Sequence, residues 1–177
     1  MADRDIDRQR NEEHYAFWAD EVADRIEGRN PEEPIVIKGG VSPSGVPHLG
    51  HFNEIMRGHY VAEVLRERGH EVRQVFTSDD RDALRKLPRT LADNDWNLVG
   101  LSDVNASALG ENLGIPYTGV PDPFGKADSY GEHFTSLLEK SATLADIDID
   151  VLSMTRLYES GAFDDAIYQV LSNPQKA

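Results

Sequence analysis

The stretch Ile35-Val36-Ile37-Lys38-Gly39-Gly40-Val41-Ser42-Pro43-Ser44-Gly45-Val46-Pro47-His48-Leu49-Gly50-His51 decides the fold. Ile35 to Ile37 is a short β-branched run of the kind that fills a buried parallel strand. Gly39 and Gly40 are expected to stop it. Two prolines and a glycine between Val41 and Pro47 predict a loop. Over residues 48–68, Phe52, Ile55, Met56, Val61, Val64 and Leu65 recur at helical spacing, and Gly69 supplies the C-terminal cap. A second strand over residues 72–77 completes strand, helix, strand: a parallel βαβ unit, with the right-handed crossover that such units adopt.

Open α/β sheets bind ligands beyond the C-terminal ends of their strands, where this loop lies. The start of the following helix offers unpaired N–H groups and a partial positive charge, both suited to phosphate. Gly45 and Gly50 lack side chains, so a nucleotide can come close to the backbone. Pro43, Ser44 and Gly45 form the loop, and His48 and His51 share one side of the first helical turn. Each imidazole can donate a hydrogen bond to a phosphate oxygen. His-x-x-His alone is a weak pattern, and surface decoration is its ordinary meaning. Its position after a strand, after Pro-Ser-Gly and at a helix start gives it weight. Two imidazoles so spaced can also share a metal ion, but no carboxylate or third histidine adjoins them, and no metal site is assigned.

Working outward, Tyr15, Trp18, Val22 and Ile26 predict a preceding helix with an apolar stripe, ended by the loop at residues 28–34. Residues 1–13 are polar and read as a disordered tail. Downstream, residues 93–98 and 102–114 read as short helices or loops, and residues 116–125, with three prolines, as an irregular connection. A helix is predicted over residues 130–144, a short strand over 147–152 and a last helix over 162–171. The alternation gives an α/β class. The acids Asp79, Asp80 and Asp82 follow the second strand, which directs them at the ligand crevice. They also fit a generally acidic surface, and position favours function for Asp79 and Asp80. Arg85 and Lys86 fit a phosphate or RNA contact, or ion pairs with the nearby acids. Tyr130 and His133 share one helix face and read as core.

The chain has 177 residues, enough for one domain with a real core. It has no cysteine, which excludes disulfides and thiolate metal sites, and no apolar run long enough for a membrane helix. Its charged N-terminus is unlike a secretory leader, and cytosol is the default compartment. Net charge is -14, from 32 acidic and 18 basic residues. Such a field repels nucleic acid and anionic membranes. Lysine is confined to positions 38, 86, 126, 140 and 176. An acidic, lysine-poor surface is expected of a protein adapted to high salt, where the Debye length falls to about 3 Å at 1 M.

The run Pro43-Ser44-Gly45-Val46-Pro47-His48-Leu49-Gly50-His51 resembles the His-Ile-Gly-His (HIGH) signature of class I aminoacyl-tRNA synthetases. Residues 14–20 (His-Tyr-Ala-Phe-Trp-Ala-Asp), 79–88 (Asp-Asp-Arg-Asp-Ala-Leu-Arg-Lys-Leu-Pro), 121–125 (Pro-Asp-Pro-Phe-Gly), 129–130 (Ser-Tyr) and 158–161 (Tyr-Glu-Ser-Gly) narrow it. Together they resemble the archaeal-type class I lysyl-tRNA synthetases, over residues 14–172. The resemblance implies an incomplete Rossmann-like parallel sheet with flanking helices over residues 14–177, with a connective insertion at about 89–129. It implies lysine activation with ATP and Mg2+, then transfer to tRNA-Lys, in the cytoplasm. His48 and His51 would be catalytic, touching the phosphates. Pro43, Ser44, Gly45 and Gly50 would complete the ATP site. Gly40, Ser42, Asp79 and Asp80 would face lysine. In the family a second, Lys-Met-Ser-Lys-Ser-type loop and an anticodon-binding region follow. Neither is in this sequence, and Leu152-Ser-Met-Thr is no substitute, so deficiency of this stretch alone is expected. Lys126-Ala127 stand where relatives often carry a cysteine, so no zinc is expected. Two alternatives stay open: an inactive remnant, and a free-standing nucleotidyl transferase sharing the histidine signature.

The charge yields a direct expectation. Circular dichroism followed from molar KCl to a few millimolar should show helix loss at the low end, where repulsion is unscreened. Equal folding at both ends would refute salt adaptation.

Overall fold

The computed structural model describes residues 17–175. In chain order these form α1 (Trp18–Glu27), β1 (Ile35–Val41), α2 (Leu49–Glu67), β2 (Val72–Ser78), β3 (Thr90–Ala92) and β4 (Leu98–Gly100). There follow α3 (Ala106–Glu111), α4 (Tyr130–Leu144), β5 (Asp150–Ser153), α5 (Met154–Glu159) and α6 (Asp164–Ser172). The expected tail at 1–13, Tyr15 and the start of the 14–20 segment lie outside the described residues.

The central sheet is parallel, in the order β1-β2-β5. β1 does not stop at its glycines: it runs through them to Val41, with Gly39 beside Phe76 and Gly40 beside Thr77. A Cβ on Gly39 would lie 2.9 Å from the Phe76 ring, and one on Gly40 would collide with Thr77 Oγ1. The glycines therefore seat one strand against the other. Nor is the apolar run buried throughout. β1 is an edge strand of this sheet, Ile35 is buried, and Val36 stands 55% exposed.

Two apolar clusters meet at α4. Leu138 and Ala142 pack with Ile55, Phe76 and Ile147 over the sheet. Phe134 and Leu137 pack with Leu84, Leu91, Leu109 and Val120 from the segment between β2 and α4. That segment contains an antiparallel β3–β4 pair that the sequence reading does not include, with the expected short helix or loop at 93–98 forming mostly the turn between them. Its strands are three residues long, too short for an alternation to register. The turn between them is built by Asp93, whose carboxylate accepts from the amides of Asp95 and Asn97, both at 2.9 Å. The helix α5 also goes beyond the sequence expectation. Ser153 caps it, accepting from the Arg156 amide at 3.1 Å.

α1 buries Ala19 and Ala23 against Val61, Val64 and Leu65 of α2, while Trp18, expected on the buried stripe, is 43% exposed. Small side chains at the contact let the helices approach closely. Arg68 then ties α1 down, with its guanidinium 3.2 Å from Asp20, 2.6 Å from Asp24 and 2.8 Å from Glu27. His70 bridges Glu33 at 2.8 Å and Glu27 at 3.0 Å. Hydrogen bonds donated to Glu33, then to Glu27, raise the His70 pKa above its ordinary value of 6.5. Its stabilisation is therefore complete below pH 6.5 and is lost as pH rises through the raised value. Thermal midpoints of the wild type should fall relative to His70→Gln as pH rises above neutrality. Parallel midpoint–pH curves would show that the bridge carries no weight.

Candidate nucleotide-binding site

Pairing of β1 with β2 brings their C-terminal ends side by side, and the Asp79 amide donates to the Val41 carbonyl at 2.9 Å. The loop that follows β1 turns at once: the Ser44 amide donates to the Ser42 carbonyl at 2.8 Å, and Pro43 is buried. Gly45 takes φ +154°. The chain then enters α2 with His48 as N-cap.

His48 caps with a ring nitrogen. Its Nδ1 accepts from the Gly50 amide at 3.0 Å. The neutral ring therefore carries its proton on Nε2. A Cβ on Gly50 would lie 2.8 Å from His48 Cε1, so glycine lets the ring fold over the helix start. His51 stacks on His48 with centroids 3.8 Å apart and planes inclined by 27°. Burial, then the neighbouring His48 charge, lowers the His51 pKa. The pair therefore resists carrying two positive charges and presents N–H donors at neutral pH. The first turn of α2 has no acidic side chain, in a chain of net charge -14. The helix dipole is left uncompensated for an incoming anion.

A family model described as tRNA synthetases class I (K) matches residues 16–177. The chain belongs to the class I (K) tRNA synthetases. It is 67% identical over 162 residues to a Lysine--tRNA ligase of Haloarcula marismortui, covering 92% of this chain and 30% of that protein. A Lysine--tRNA ligase of Natronomonas pharaonis is 66% identical over 161 residues, covering 91% of this chain and 30% of that protein. One of Pyrococcus furiosus is 35% identical over 151 residues, covering 85% and 26%. The chain thus spans about 30% of the length of the first curated relatives it matches. The Haloarcula and Natronomonas relatives come from halophilic archaea, the setting that the acidic composition suggested.

Within this synthetase-family chain the residues singled out from sequence do not all converge. Pro43, Ser44, Gly45, His48, Gly50 and His51 form one continuous turn and helix start. Gly40 and Ser42 lie at its root, and Ser42 Oγ donates to the carboxylate of Asp82. Asp82 is exposed, and its place in the sequence ranked it behind Asp79 and Asp80. Asp79 is half-buried and accepts from Thr77 Oγ1 at 3.4 Å. Asp80 is 5% exposed, and its carboxylate accepts from Ser153 Oγ at 2.5 Å and the Thr155 amide at 2.8 Å. It thereby joins the end of β2 to the start of α5. Arg85 and Lys86 are exposed, and no ion pair holds either among the described residues. No group of three or more His, Asp or Glu is placed to hold a metal ion among the described residues, and no helix there is long and apolar enough to cross a membrane.

Two substitutions test the histidines. In molar KCl, His48→Ala and His51→Ala should each weaken ATP binding about tenfold by calorimetry. Because the His51 pKa lies below its ordinary 6.5, wild-type affinity should rise as pH falls beneath that value, and His51→Ala should flatten the rise. Unchanged affinity in both variants would remove the phosphate role.

Proposed function

We propose that this chain supplies the ATP-binding part of a lysine–tRNA ligase, with residues 14–177 belonging to its catalytic domain and residues 89–129 inserted in it. One observation carries the reading: the stacked His48–His51 pair at an acid-free helix start, directly beyond β1. The name Lysine--tRNA ligase, borne by relatives at up to 67% identity, supports lysine and tRNA-Lys as the other substrates. The cytoplasm, where tRNA is charged, is the corresponding compartment.

The reaction begins with attack of the lysine carboxylate on the α-phosphate of ATP, giving lysyl-adenylate and pyrophosphate. A carboxylate is ionised at neutral pH, so no general base is needed. What the protein must supply is position and stabilisation of charge on the phosphates. Nε2–H of His48 and the imidazole of His51 donate to phosphate oxygens, and the first-turn amides of α2 add their dipole. Gly40 and Ser42, with Asp79 and Asp80 nearby, line the side where lysine would enter. A carboxylate there suits a substrate with two ammonium groups. Mg2+ arrives with ATP as part of that substrate. The acyl group then passes from the adenylate to a hydroxyl of the terminal ribose of tRNA-Lys, forming an ester and releasing AMP.

The chain spans about 30% of its relatives' length, so the test is complementation. A chimera joining this chain to the remaining part of the Haloarcula relative should catalyse lysine-dependent exchange between ATP and pyrophosphate. His48→Ala should lower that rate about 10²–10³-fold, the usual effect of losing one transition-state donor. The 177-residue chain alone should not acylate tRNA-Lys. Exchange driven by another amino acid, or acylation by the chain alone, would contradict the reading.

A further inference from the structure

Tyr130, the first residue of α4, is wholly buried, yet its hydroxyl reaches the candidate site: it donates to the Ser44 carbonyl at 2.9 Å. The ring has no freedom to swing. It stacks on Tyr117 with centroids 5.5 Å apart and planes inclined by 19°, and Phe134 tilts against it at 4.6 Å. Its own amide donates to the Val120 carbonyl at 2.8 Å, and Ser129 caps the helix on which it stands. Burial pushes the phenol above its ordinary pKa, so it remains a protonated donor. Gly45 adjoins this contact: a Cβ there would sit 3.6 Å from the Tyr130 oxygen, an ordinary van der Waals distance.

The loop is held at its other end as well. Ser42 Oγ donates to the Asp82 carboxylate, and the Asp82 carbonyl accepts from the Tyr117 amide at 2.9 Å. Ser42 and Ser44 are therefore gripped from outside the loop, and both grips lead back to Tyr117 in the segment between β2 and α4.

We propose that Tyr130 is a positioning residue for the nucleotide loop, its hydroxyl fixing the Ser44 carbonyl so that residues 43–45 meet the phosphates in register with His48 and His51. This rests on the reading of residues 43–51 as the ATP site. Tyr130 touches no substrate. It acts through one backbone carbonyl, and its removal leaves that carbonyl without its buried donor.

The test is Tyr130→Phe, which keeps the ring and its stacking, with Tyr117→Phe as a control that keeps the Ser44 contact. ATP affinity is measured by calorimetry in molar KCl, and amide hydrogen exchange is followed in the same samples. In Tyr130→Phe, exchange at Ser44, whose amide is bonded to the Ser42 carbonyl, should rise and ATP affinity should fall about five- to tenfold. Tyr117→Phe should change neither. A merely structural role would instead raise exchange along α4 and leave ATP affinity alone. Wild-type ATP affinity in Tyr130→Phe, with His48→Ala still weakening it, would overturn the positioning role and leave the ATP site standing. Absence of ATP binding by the wild-type chain would overturn both.

Discussion

Gly39 and Gly40 lie so close to Phe76 and Thr77 that a single added carbon at either position meets a neighbour. That approach brings the C-terminal ends of β1 and β2 to one level and sends both outgoing segments over the same edge of the sheet. The loop at residues 42–47 and the acids at 79–82 are neighbours for this reason. Ser42 meets Asp82 because Val41 pairs with Ser78. α2 then begins where the loop must end, and its first turn points into the crevice. A larger residue at Gly40 would displace the Thr77 hydroxyl and crowd the Thr77 carbonyl, 3.2 Å from the added carbon, at the point where the two strands end.

Charge sorts the remaining surface. The chain carries -14 overall, yet the start of α2 has no acid in its first turn, and the two histidines there stack. Acids instead gather where they have partners: three on Arg68, two on His70. Asp80, inside the fold, spends its carboxylate on Ser153 and Thr155. An anion approaching this molecule finds a favourable field at few places, and a helix N-terminus bare of carboxylates is one of them. High salt screens the general repulsion while hydrogen bonds and the short-range dipole persist.

The sheet, α2 and α4 were legible because their signals are strong and local: a β-branched run, and apolar residues at helical spacing in both helices. The loop and histidines were legible because glycine, proline and histidine have narrow uses at a strand-to-helix junction. What escaped notice depends on tertiary neighbours. Gly39 and Gly40 look like a strand stop until Phe76 and Thr77 are known to lie against them. β3 and β4 are too short to show a period. Sequence position favours Asp80 over Asp82 but does not foretell their environments: one is buried against α5, the other exposed beside Ser42. Tyr130 reads as core because it is core, and the direction of its hydroxyl is set by a loop that precedes it by 86 residues.

The central claim is that the phosphates of ATP sit on the start of α2. Titration of a ¹⁵N-labelled chain with Mg-ATP in molar KCl, followed by NMR, tests it most directly. The account predicts saturable shifts of the Gly45, Gly50 and His51 amides and of the His48 and His51 ring nitrogens. Shifts confined to another region, such as Arg85 and Lys86, or no saturable shift at the α2 start, would contradict it.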